Sequence, residues 1–316
     1  MVPKNLPTFL GIGAQRAGTS WLYNQLSKHP EVWMPPVKEI HFFDRALSYP
    51  SPNDLATASP YNRIFGSKSW ERPRTVAGVK KIYELVMTGR FHQAIWWTKW
   101  TFGYYNDNWY RGLFSQAKFH KACGEITPSY SLLDDDDIAK IKTINPDMKI
   151  IFIIRNPIER AWSAIRFHIL KGANLKPDSP EKIISVLKHP GMSLRGDYER
   201  ILDKYMKFFD SSHVLICFFD AIKNDPTGLM LQITKFIGIK PYEKIVVNNK
   251  IPINPSPDYD MPLMVRDYLY TIYIPTIKRM AEKFGSYAKT WDGENICEIT
   301  QTRENINNEL LPAIHP

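Results

Sequence analysis

The stretch TFLGIGAQRAGTSWL, residues 8–22, predicts a buried strand, a tight turn and the start of a helix. Residues 8–13 form an almost uninterrupted apolar run, which is typical of a strand covered on both faces. Residues 19–28 follow with a helical pattern that stops at His29-Pro30. A strand, a turn and a helix in this order form the basic unit of an α/β fold.

The turn between these two elements has the physical properties of a phosphate cradle. Gly18 can adopt backbone angles that other residues avoid, so the N–H groups of residues 17–20 can point at one anion. The helix N terminus adds partial positive charge, Thr19 and Ser20 offer hydroxyl donors, and Arg16 offers a full charge. We therefore expect the turn to bind phosphate or sulfate, although a turn without a ligand has the same local pattern.

Two common nucleotide-binding motifs do not fit this turn. The Walker A pattern requires Lys after its second glycine, and here Gly18 is followed by Thr19. The dinucleotide pattern GxGxxG begins with Gly11 and Gly13, but Arg16 occupies the position of its third glycine. The turn is therefore not that of an ordinary ATPase or dehydrogenase.

A second strand, turn and helix start occurs in the middle of the chain. A strand is predicted at 149–154 and a helix at 157–170, with Asn156 as its N-cap. Arg155 leaves the carboxyl end of the strand, where open α/β sheets bind ligands. Arg155 and Ser163 could hold a second phosphate through charge-assisted hydrogen bonds, unless the arginine only caps the sheet edge. Two such turns predict a ligand with two separated phosphate groups.

The other hydrophobic patterns complete the expected fold. Another strand is predicted at 214–219, weaker ones at 75–79 and 122–126, and further helices at 194–209, 227–237 and 261–284, the last interrupted at Pro275. Because strands alternate with helices, we expect an α/β fold: a central, mostly parallel sheet flanked by helices, with a P-loop-like strand–loop–helix. No linker divides the chain, so we expect one domain over residues 1–316. Long loops are predicted at 48–74 and 252–262, and such loops often cover a ligand.

The bulk composition excludes several classes of protein. Hydrophobic residues make up 44% and charged residues 23% of the chain, as in a globular protein, which argues against disorder. The net charge of +9 indicates either an anionic partner or a lysine-rich surface. No apolar run is long enough for a membrane span, and the N terminus lacks a secretory pattern. Three widely spaced cysteines exclude a disulfide framework, so we expect a cytoplasmic protein.

Four segments occur in an order that resembles a known family: QRAGTSWL (15–22), PPVKEIHFFD (35–44), GEITPSY (124–130) and IRNPIERAWS (154–163). In these segments the chain is similar to sulfotransferases that use 3′-phosphoadenosine 5′-phosphosulfate (PAPS). It most resembles the heparan-sulfate-type and related bacterial enzymes, from about residue 8 to residue 239. The resemblance implies transfer of a sulfonate group from PAPS to an acceptor hydroxyl or amine, without a metal ion.

The resemblance also implies a donor site built from both turns. The 5′-phosphosulfate end would lie in the first turn, in a cradle of Arg16, Ala17, Gly18, Thr19 and Ser20 with Trp21 beside it. Relatives usually have Lys in place of Arg16, where it stabilises charge on the departing nucleotide; Arg keeps the charge with a different geometry. Arg155 and Ser163 match the residues that hold the 3′-phosphate. Tyr198 matches a tyrosine near the same end, although its helical spacing also fits core packing.

Residues 38–44 resemble the catalytic segment of the family. Glu39 would be the general base that takes the proton of the acceptor hydroxyl during attack on sulfur, provided that burial raises its pKa. His41 would assist, bind the substrate or only pack, and Lys38 would neutralise the transferred sulfonate. With Arg16 acting on the leaving group, positioning and cationic donors would supply most of the catalysis.

The acceptor is not identified by the sequence. Ile126 stands where the glycan-modifying relatives often have Lys, and their Lys-Gly-Arg cofactor-covering loop is missing. Residues 249–250 or 254–256 could take the place of that loop. Residues 91–114 are rich in Trp, Tyr and Phe, which would pack inside a helical subdomain or line a cleft for a sugar, a phenol or an aliphatic acceptor.

Two other functions compete with this interpretation. A P-loop nucleotide kinase would share the first turn, but the Walker A lysine and an evident carboxylate partner for Mg²⁺ are missing. A non-catalytic binder of acidic polymers would use the +9 charge, but no zinc finger or basic recognition helix supports nucleic-acid binding. The expected partner is therefore an acceptor substrate, with neither nucleic acid nor a membrane span.

Overall fold

The centre of the protein is a parallel β-sheet. The structure is a computed structural model that describes residues 6–50, 57–66, 72–170, 176, 178–242 and 259–292. Its strands are β1 (Phe9–Gly13), β2 (Val32–Trp33), β3 (Ala122–Ile126), β4 (Lys149–Ile154) and β5 (Val214–Phe218). They lie in the order β2-β3-β1-β4-β5, and all four neighbouring pairs are parallel. The predicted α/β fold is confirmed, and the sheet is more uniformly parallel than the sequence indicated.

Strand β1 lies in the middle of the sheet and positions the first turn. Every residue of β1 is buried, and Phe9 lies opposite Gly124 on β3 and Lys149 on β4. Strand β3 is fully buried too, as are five of the six residues of β4. Burial on both faces explains why β1 and most of β4 are apolar runs in the sequence, whereas the buried β3 contains Glu125. Because the strands are parallel, the turns that follow them meet at one edge of the sheet.

Helices flank the sheet. They are α1 (Thr19–Ser27), α2 (Pro60–Phe65), α3 (Arg72–Met87), α4 (Phe91–Phe102), α5 (Asp107–Leu113), α6 (Asp135–Ile144), α7 (Pro157–Leu170), α8 (Pro180–Lys188), α9 (Pro190–Ser193), α10 (Tyr198–Met206), α11 (Phe219–Asn224), α12 (Pro226–Phe236) and α13 (Leu263–Phe284). Short 3₁₀ helices lie at Ser115–Phe119, Pro128–Leu132, Leu194–Gly196, Ser211–His213 and Ser286–Asp292. The helices predicted at 19–28, 157–170 and 227–237 agree with α1, α7 and α12. The one predicted at 194–209 is a 3₁₀ turn followed by α10.

The strand predicted at 75–79 is wrong, because these residues lie inside α3. Their β-branched side chains favour a strand locally. However, α3 packs along α4 through Gly78 and Leu85, its two buried residues. A Cβ built on Gly78 would lie only 2.3 Å from Thr101 Oγ1 on α4, so the two helices approach closely at this point. Tertiary packing between the helices outweighs the local strand preference.

The interruption predicted at Pro275 is also wrong, because α13 continues through it. Proline removes one backbone hydrogen bond from a helix interior. Buried residues of α13 lie on both sides of that position, among them Leu269, Tyr273, Ile277 and Met280. One continuous apolar face therefore keeps the helix intact across the proline.

The two predicted long loops are described only in part. Helix α2 and the first residues of α3 lie within 48–74, so that segment is not a loop throughout. Most of 252–262 lies outside the described residues, and so do 249–250 and 254–256. Within the described part of the chain, every helix is too short or too polar to cross a bilayer.

Candidate active site

The turn after β1 requires a glycine at position 18. Gly18 has a left-handed backbone (φ 86°) and caps the N terminus of α1. A Cβ built on it would lie 2.3 Å from Ile222 Cδ1 of α11, so any side chain would clash as well as strain the backbone. Thr19 and Trp21 are buried behind the turn, and Ser20 is half-buried. The turn thus has the tight backbone that an anion cradle at a helix N terminus needs.

The side chain of Arg16 leaves the first turn and reaches the second one. Arg16 is itself left-handed (φ 67°), and its Nε donates a hydrogen bond to Ser163 Oγ of α7 at 3.2 Å. Its guanidinium lies over the ring of Phe167, 4.7 Å from the centroid. Arg16 and Ser163 were predicted to bind opposite ends of the donor, and the structure brings them into direct contact.

Arg155 joins the same group from the carboxyl end of β4. Its Nη1 donates to the backbone oxygen of Arg16 at 3.2 Å, and its guanidinium lies 4.5 Å from the ring centroid of Phe219. Glu159 accepts a hydrogen bond from its Nη2 at 3.3 Å. The buried Tyr198 donates its hydroxyl to the backbone oxygen of Arg155 at 2.6 Å. Tyr198 therefore both packs in the core and fixes the position of Arg155.

The electrostatics of this group favour an anion. Burial lowers the pKa of Arg16, and the neighbouring charges of Arg155 and Arg166 lower it further. Burial also lowers the pKa of Arg155, with a contribution from Arg166. An anionic ligand placed among these guanidinium groups would offset their mutual repulsion. Sequence reasoning missed Arg166, although it lies three residues after Ser163, on the same face of α7.

A second group of charged side chains lies in the segment that follows β2. Lys38 Nζ lies 2.5 Å from Glu39 Oε1, and His41 Nε2 lies 3.5 Å from Glu39 Oε2. The other ring nitrogen of His41, Nδ1, lies 2.7 Å from Asp44 Oδ2. The three residues predicted here are therefore in contact. Asp44 was missed as a site residue, although its i, i+3 spacing from His41 was a usable signal.

These contacts set the charge of the group. Burial alone would raise the pKa of Glu39, but the hydrogen bond from His41 and the charge of Lys38 outweigh it and lower the pKa to about 2. Burial alone would lower the pKa of His41, but Asp44 and Glu39 raise it to about 9. At neutral pH Glu39 is therefore a carboxylate and His41 an imidazolium.

The backbone of this segment is held in an unusual conformation. Glu39 (φ 67°) and His41 (φ 57°) are both left-handed, which costs on the order of 1 kcal/mol or more for each residue. The residues between and after them are held by hydrogen bonds: Ile40 N–H donates to Glu125 Oε2 at 3.2 Å and Phe42 N–H donates to Tyr130 Oη at 2.9 Å. These contacts turn the Glu39 and His41 side chains to the same side.

Glu125 is buried, and its carboxyl group holds the Glu39 segment in place. Besides Ile40 N–H, it accepts hydrogen bonds from Thr127 Oγ1 (2.7 Å), Tyr110 Oη (2.8 Å) and Tyr130 Oη (2.9 Å). Burial raises the pKa of Glu125. The segment GEITPSY therefore acts as a scaffold behind the Glu39 segment, a role that the sequence pattern did not reveal.

Arg195 and His168 lie between the two groups of charged residues. Burial lowers the pKa of Arg195 to about 10, while Asp44 and Glu39 act in the opposite direction. Burial also lowers the pKa of His168, helped by the charges of Arg16 and Arg195. Arg195 thus interacts electrostatically with Glu39 and Asp44, and His168 with Arg16 and Arg195, so the charges of the two groups are linked through these residues. No group of three or more His, Cys, Asp or Glu that could hold a metal ion is found in the described ranges.

A cavity of about 560 Å³ opens beside the Glu39 group. It is lined by Val37, Lys38, Glu39 and His41 from that segment, and by Arg74, Ala77, Gly78, Lys81, Trp97 and Trp100 from α3 and α4. Most of the aromatic residues at 91–114 pack in the core, as Trp96, Trp109 and Tyr110 show. Glu39 forms part of the lining of this cavity, together with Lys38 and His41.

The central strand of this α/β fold is followed by a glycine turn at a helix N terminus with two arginines beside it, and such a turn has the features that binding of a phosphate or sulfate group requires. The family model described as the sulfotransferase domain matches residues 7–250, and the chain belongs to this family. The family and the enzyme class predicted from the sequence are thereby confirmed.

Individual relatives support the same assignment. The chain is 29% identical over 140 residues to mouse heparan sulfate glucosamine 3-O-sulfotransferase 6, covering 42% of this chain and 40% of the relative. It is 23% identical over 246 residues to mouse heparan sulfate glucosamine 3-O-sulfotransferase 3B1, covering 75% and 47%. The chain thus spans less than half the length of these relatives. The fold is shared with a sulfotransferase from Alicyclobacillus acidocaldarius at a TM-score of 0.60 and 21% identity, covering 90% of this chain and 98% of the other.

Proposed function

We propose that this chain, as a single domain, transfers a sulfonate group from PAPS to a hydroxyl or amine of an acceptor. The observation that carries the proposal is the convergence of Arg16, Arg155 and Ser163 at the carboxyl edge of the sheet. PAPS carries two separated phosphate groups, and the turn capped by Gly18 and the arginine group offer one site for each. The contact between Arg16 and Ser163 leads us to assign the Arg16 side chain to the 3′-phosphate end.

The transfer step follows from the Glu39 group. The acceptor oxygen attacks the sulfur atom, the bond from sulfur to the 5′-phosphate oxygen breaks, and adenosine 3′,5′-bisphosphate leaves. Glu39 takes the proton of the acceptor. The charged His41, held by Asp44, keeps the carboxylate of Glu39 turned toward the cavity. Charge spreads over the sulfonyl oxygens during transfer, and preorganised cations stabilise such charge.

A base with a pKa near 2 is weak, and the lysine contact explains how its strength can change. Lys38 contributes to the low pKa of Glu39 through its charge and its hydrogen bond. When a sulfonate group binds, Lys38 gains a second anionic partner and its contact with Glu39 weakens. The contribution of Lys38 then decreases while the larger hydrogen-bond contribution of His41 remains, so the pKa of Glu39 rises and the carboxylate becomes a better proton acceptor.

The donor is tested by calorimetric titration with adenosine 3′,5′-bisphosphate, with ATP and Mg²⁺, and with a short oligonucleotide. We expect the bisphosphate to bind best, and Arg155→Ala to weaken it about tenfold or more, since a hydrogen bond to a charged group contributes roughly 1.5–3 kcal/mol. Lys235→Ala, an exposed change on α12, is the control. Tighter binding of ATP would support a nucleotide kinase, and tighter binding of the oligonucleotide would support a polyanion binder; either result contradicts the proposal.

A further inference from the structure

The helices α3 and α4 form a hairpin with an exposed apolar face. We call this the outer face; it consists of Val76, Val79, Tyr83, Val86 and Met87 on α3 and Phe91, Ile95 and Phe102 on α4, each more than 40% exposed. The α3 positions follow one another at three- and four-residue steps or as neighbours, so they form a single stripe along the helix. Only Gly78 and Leu85 of α3 are buried. The stripe therefore does not serve the packing of α3 against α4.

The stripes of the two helices are joined by a groove. A cavity of about 670 Å³ lies between the helices, and its lining includes Ile82, Val86, Phe91, Ala94, Ile95 and Phe102. Monomeric proteins rarely expose contiguous apolar patches of this kind unless the patch binds a partner or a membrane. The outer face is thus a candidate interaction surface.

The same hairpin is strongly basic. Residues 72–102 contain six Lys or Arg and one acidic residue, Glu84, so this segment carries +5 of the net charge of +9. Arg72, Lys80 and Arg90 are exposed. Arg72 precedes the first residue of the stripe on α3 by four positions, and Arg90 follows its last residue by three. Cations therefore flank both ends of the apolar stripe.

This charge decides between the possible occupants of the outer face. A second copy of the chain would bring the exposed cations Arg72, Lys80 and Arg90 close to the same three cations of its partner, and such like charges repel. An anionic lipid surface instead offers acyl chains for the apolar stripe and negative headgroups for the flanking cations. Helix α3, at 16 residues, is shorter than the roughly 20 residues needed to span a bilayer, so it would lie in the interface.

We propose that the outer face docks the protein on the surface of an anionic lipid bilayer. The opposite side of the hairpin supplies Arg74, Gly78, Trp97 and Trp100 to the cavity beside Glu39. The hairpin would therefore lie between the bilayer and the candidate active site, whose cavity is on the side of the hairpin that faces away from the lipid. The inference rests on the hairpin alone and does not depend on which donor the enzyme uses.

The proposal is tested by co-sedimentation of the full chain with two kinds of vesicle, phosphatidylcholine alone and phosphatidylcholine mixed with phosphatidylserine. The wild type should sediment with the mixed vesicles, far less with the neutral ones, and release at high salt. Two double variants, Val79→Ser with Tyr83→Ser and Arg72→Glu with Lys80→Glu, should each bind at least about tenfold more weakly. Leu231→Ser and Lys235→Glu, exposed on α12, are matched controls that should bind as the wild type does.

Four results would overturn the proposal. The first is failure of the wild type to sediment with anionic vesicles. The second is binding of both double variants at the wild-type level while circular dichroism shows that they are folded. The third is a dimer, detected by light scattering, that Val79→Ser with Tyr83→Ser dissociates, since the outer face would then belong to a second copy. Weakening of binding by the Leu231→Ser and Lys235→Glu controls to the same extent would likewise exclude a specific role for the hairpin.

Discussion

Arg16 and Ser163 are 147 positions apart in the chain, and Arg16 Nε donates a hydrogen bond to Ser163 Oγ at 3.2 Å. This bond connects the turn after β1 to the first half of α7. It means that the two anion-binding turns predicted separately from the sequence share one electrostatic environment. The side chains of Arg16 and Ser163 are therefore expected to act on the same end of the donor.

The first prediction separates the two ends of the donor. Ser163→Ala should weaken binding of adenosine 3′,5′-bisphosphate about tenfold, because a hydrogen bond to a charged phosphate is lost. Binding of adenosine 5′-monophosphate, which lacks the 3′-phosphate, should not change. Calorimetry measures both affinities, and Ser185→Ala, exposed on α8, is the control. An equal loss of affinity for both nucleotides would show that Ser163 does not bind the 3′-phosphate.

The second prediction concerns Glu39 as general base. Glu39→Gln keeps the shape of the side chain but cannot take the acceptor proton, and general-base catalysis contributes about 10²–10⁴-fold to a rate. The turnover rate should fall by at least about a hundredfold, with the affinity for the bisphosphate unchanged. A labelled-PAPS assay over a screen of glycans, phenols, alcohols and amines measures the rate. The control is Glu181→Gln, an exposed change on α8 that should leave the rate unaffected. If Glu39→Gln retains a near-normal turnover rate, Glu39 is not the general base.

The third prediction concerns the pH dependence of stability. The folded-state pKa of His41 is raised from 6.5 to about 9, so its contribution to the free energy of unfolding is full below pH 6.5 and is lost as the pH rises through about 9. The wild type should therefore lose roughly 2 kcal/mol more stability between pH 6.5 and pH 9 than His41→Asn does. Urea unfolding at the two pH values measures this difference. Parallel pH dependences for the two proteins would show that His41 is not held as an imidazolium.

The fourth prediction compares two left-handed glycines that differ in the space available for a side chain. Gly18 (φ 86°) and Gly89 (φ 69°) are both left-handed, but a Cβ at Gly18 would meet Ile222 at 2.3 Å, while a Cβ at Gly89 has no neighbour within 4 Å. Gly89→Ala should cost only the backbone strain, on the order of 1 kcal/mol. Gly18→Ala should cost more, because the Ile222 side chain must also move away from the new methyl group, and it should lower the affinity for the bisphosphate. Equal losses of stability with unchanged binding would contradict this account of the turn.

The parts of the site that the sequence predicted are local ones. Strand, glycine turn and helix start lie within a few residues of one another, so the cradle at Gly18 and the position of Arg155 could be predicted from spacing. The contact between Lys38, Glu39 and His41 was also local. Each of these groups interacts with its neighbours in the chain, and sequence patterns describe such neighbours well.

The parts that the sequence did not predict depend on distant packing. Glu125 supports the Glu39 segment through Ile40, 85 positions away, and nothing in GEITPSY indicates that partner. Arg195 acts on Asp44 and Glu39 only because the chain folds back to them. The strand predicted at 75–79 was wrong for the same reason, since the partner of these residues is α4 and not the sheet.

The contact of Gly18 with Ile222 also has a consequence during synthesis of the chain. Arg155 and Ser163 are synthesised well after the first turn, and Ile222 of α11 can pack against the turn only after β5 has been made. A nascent chain that ends before Phe219 lacks part of the wall of the proposed donor site. If the proposal holds, the capacity to bind the donor should therefore arise only after Ile222 has been made, more than 200 residues after the first turn.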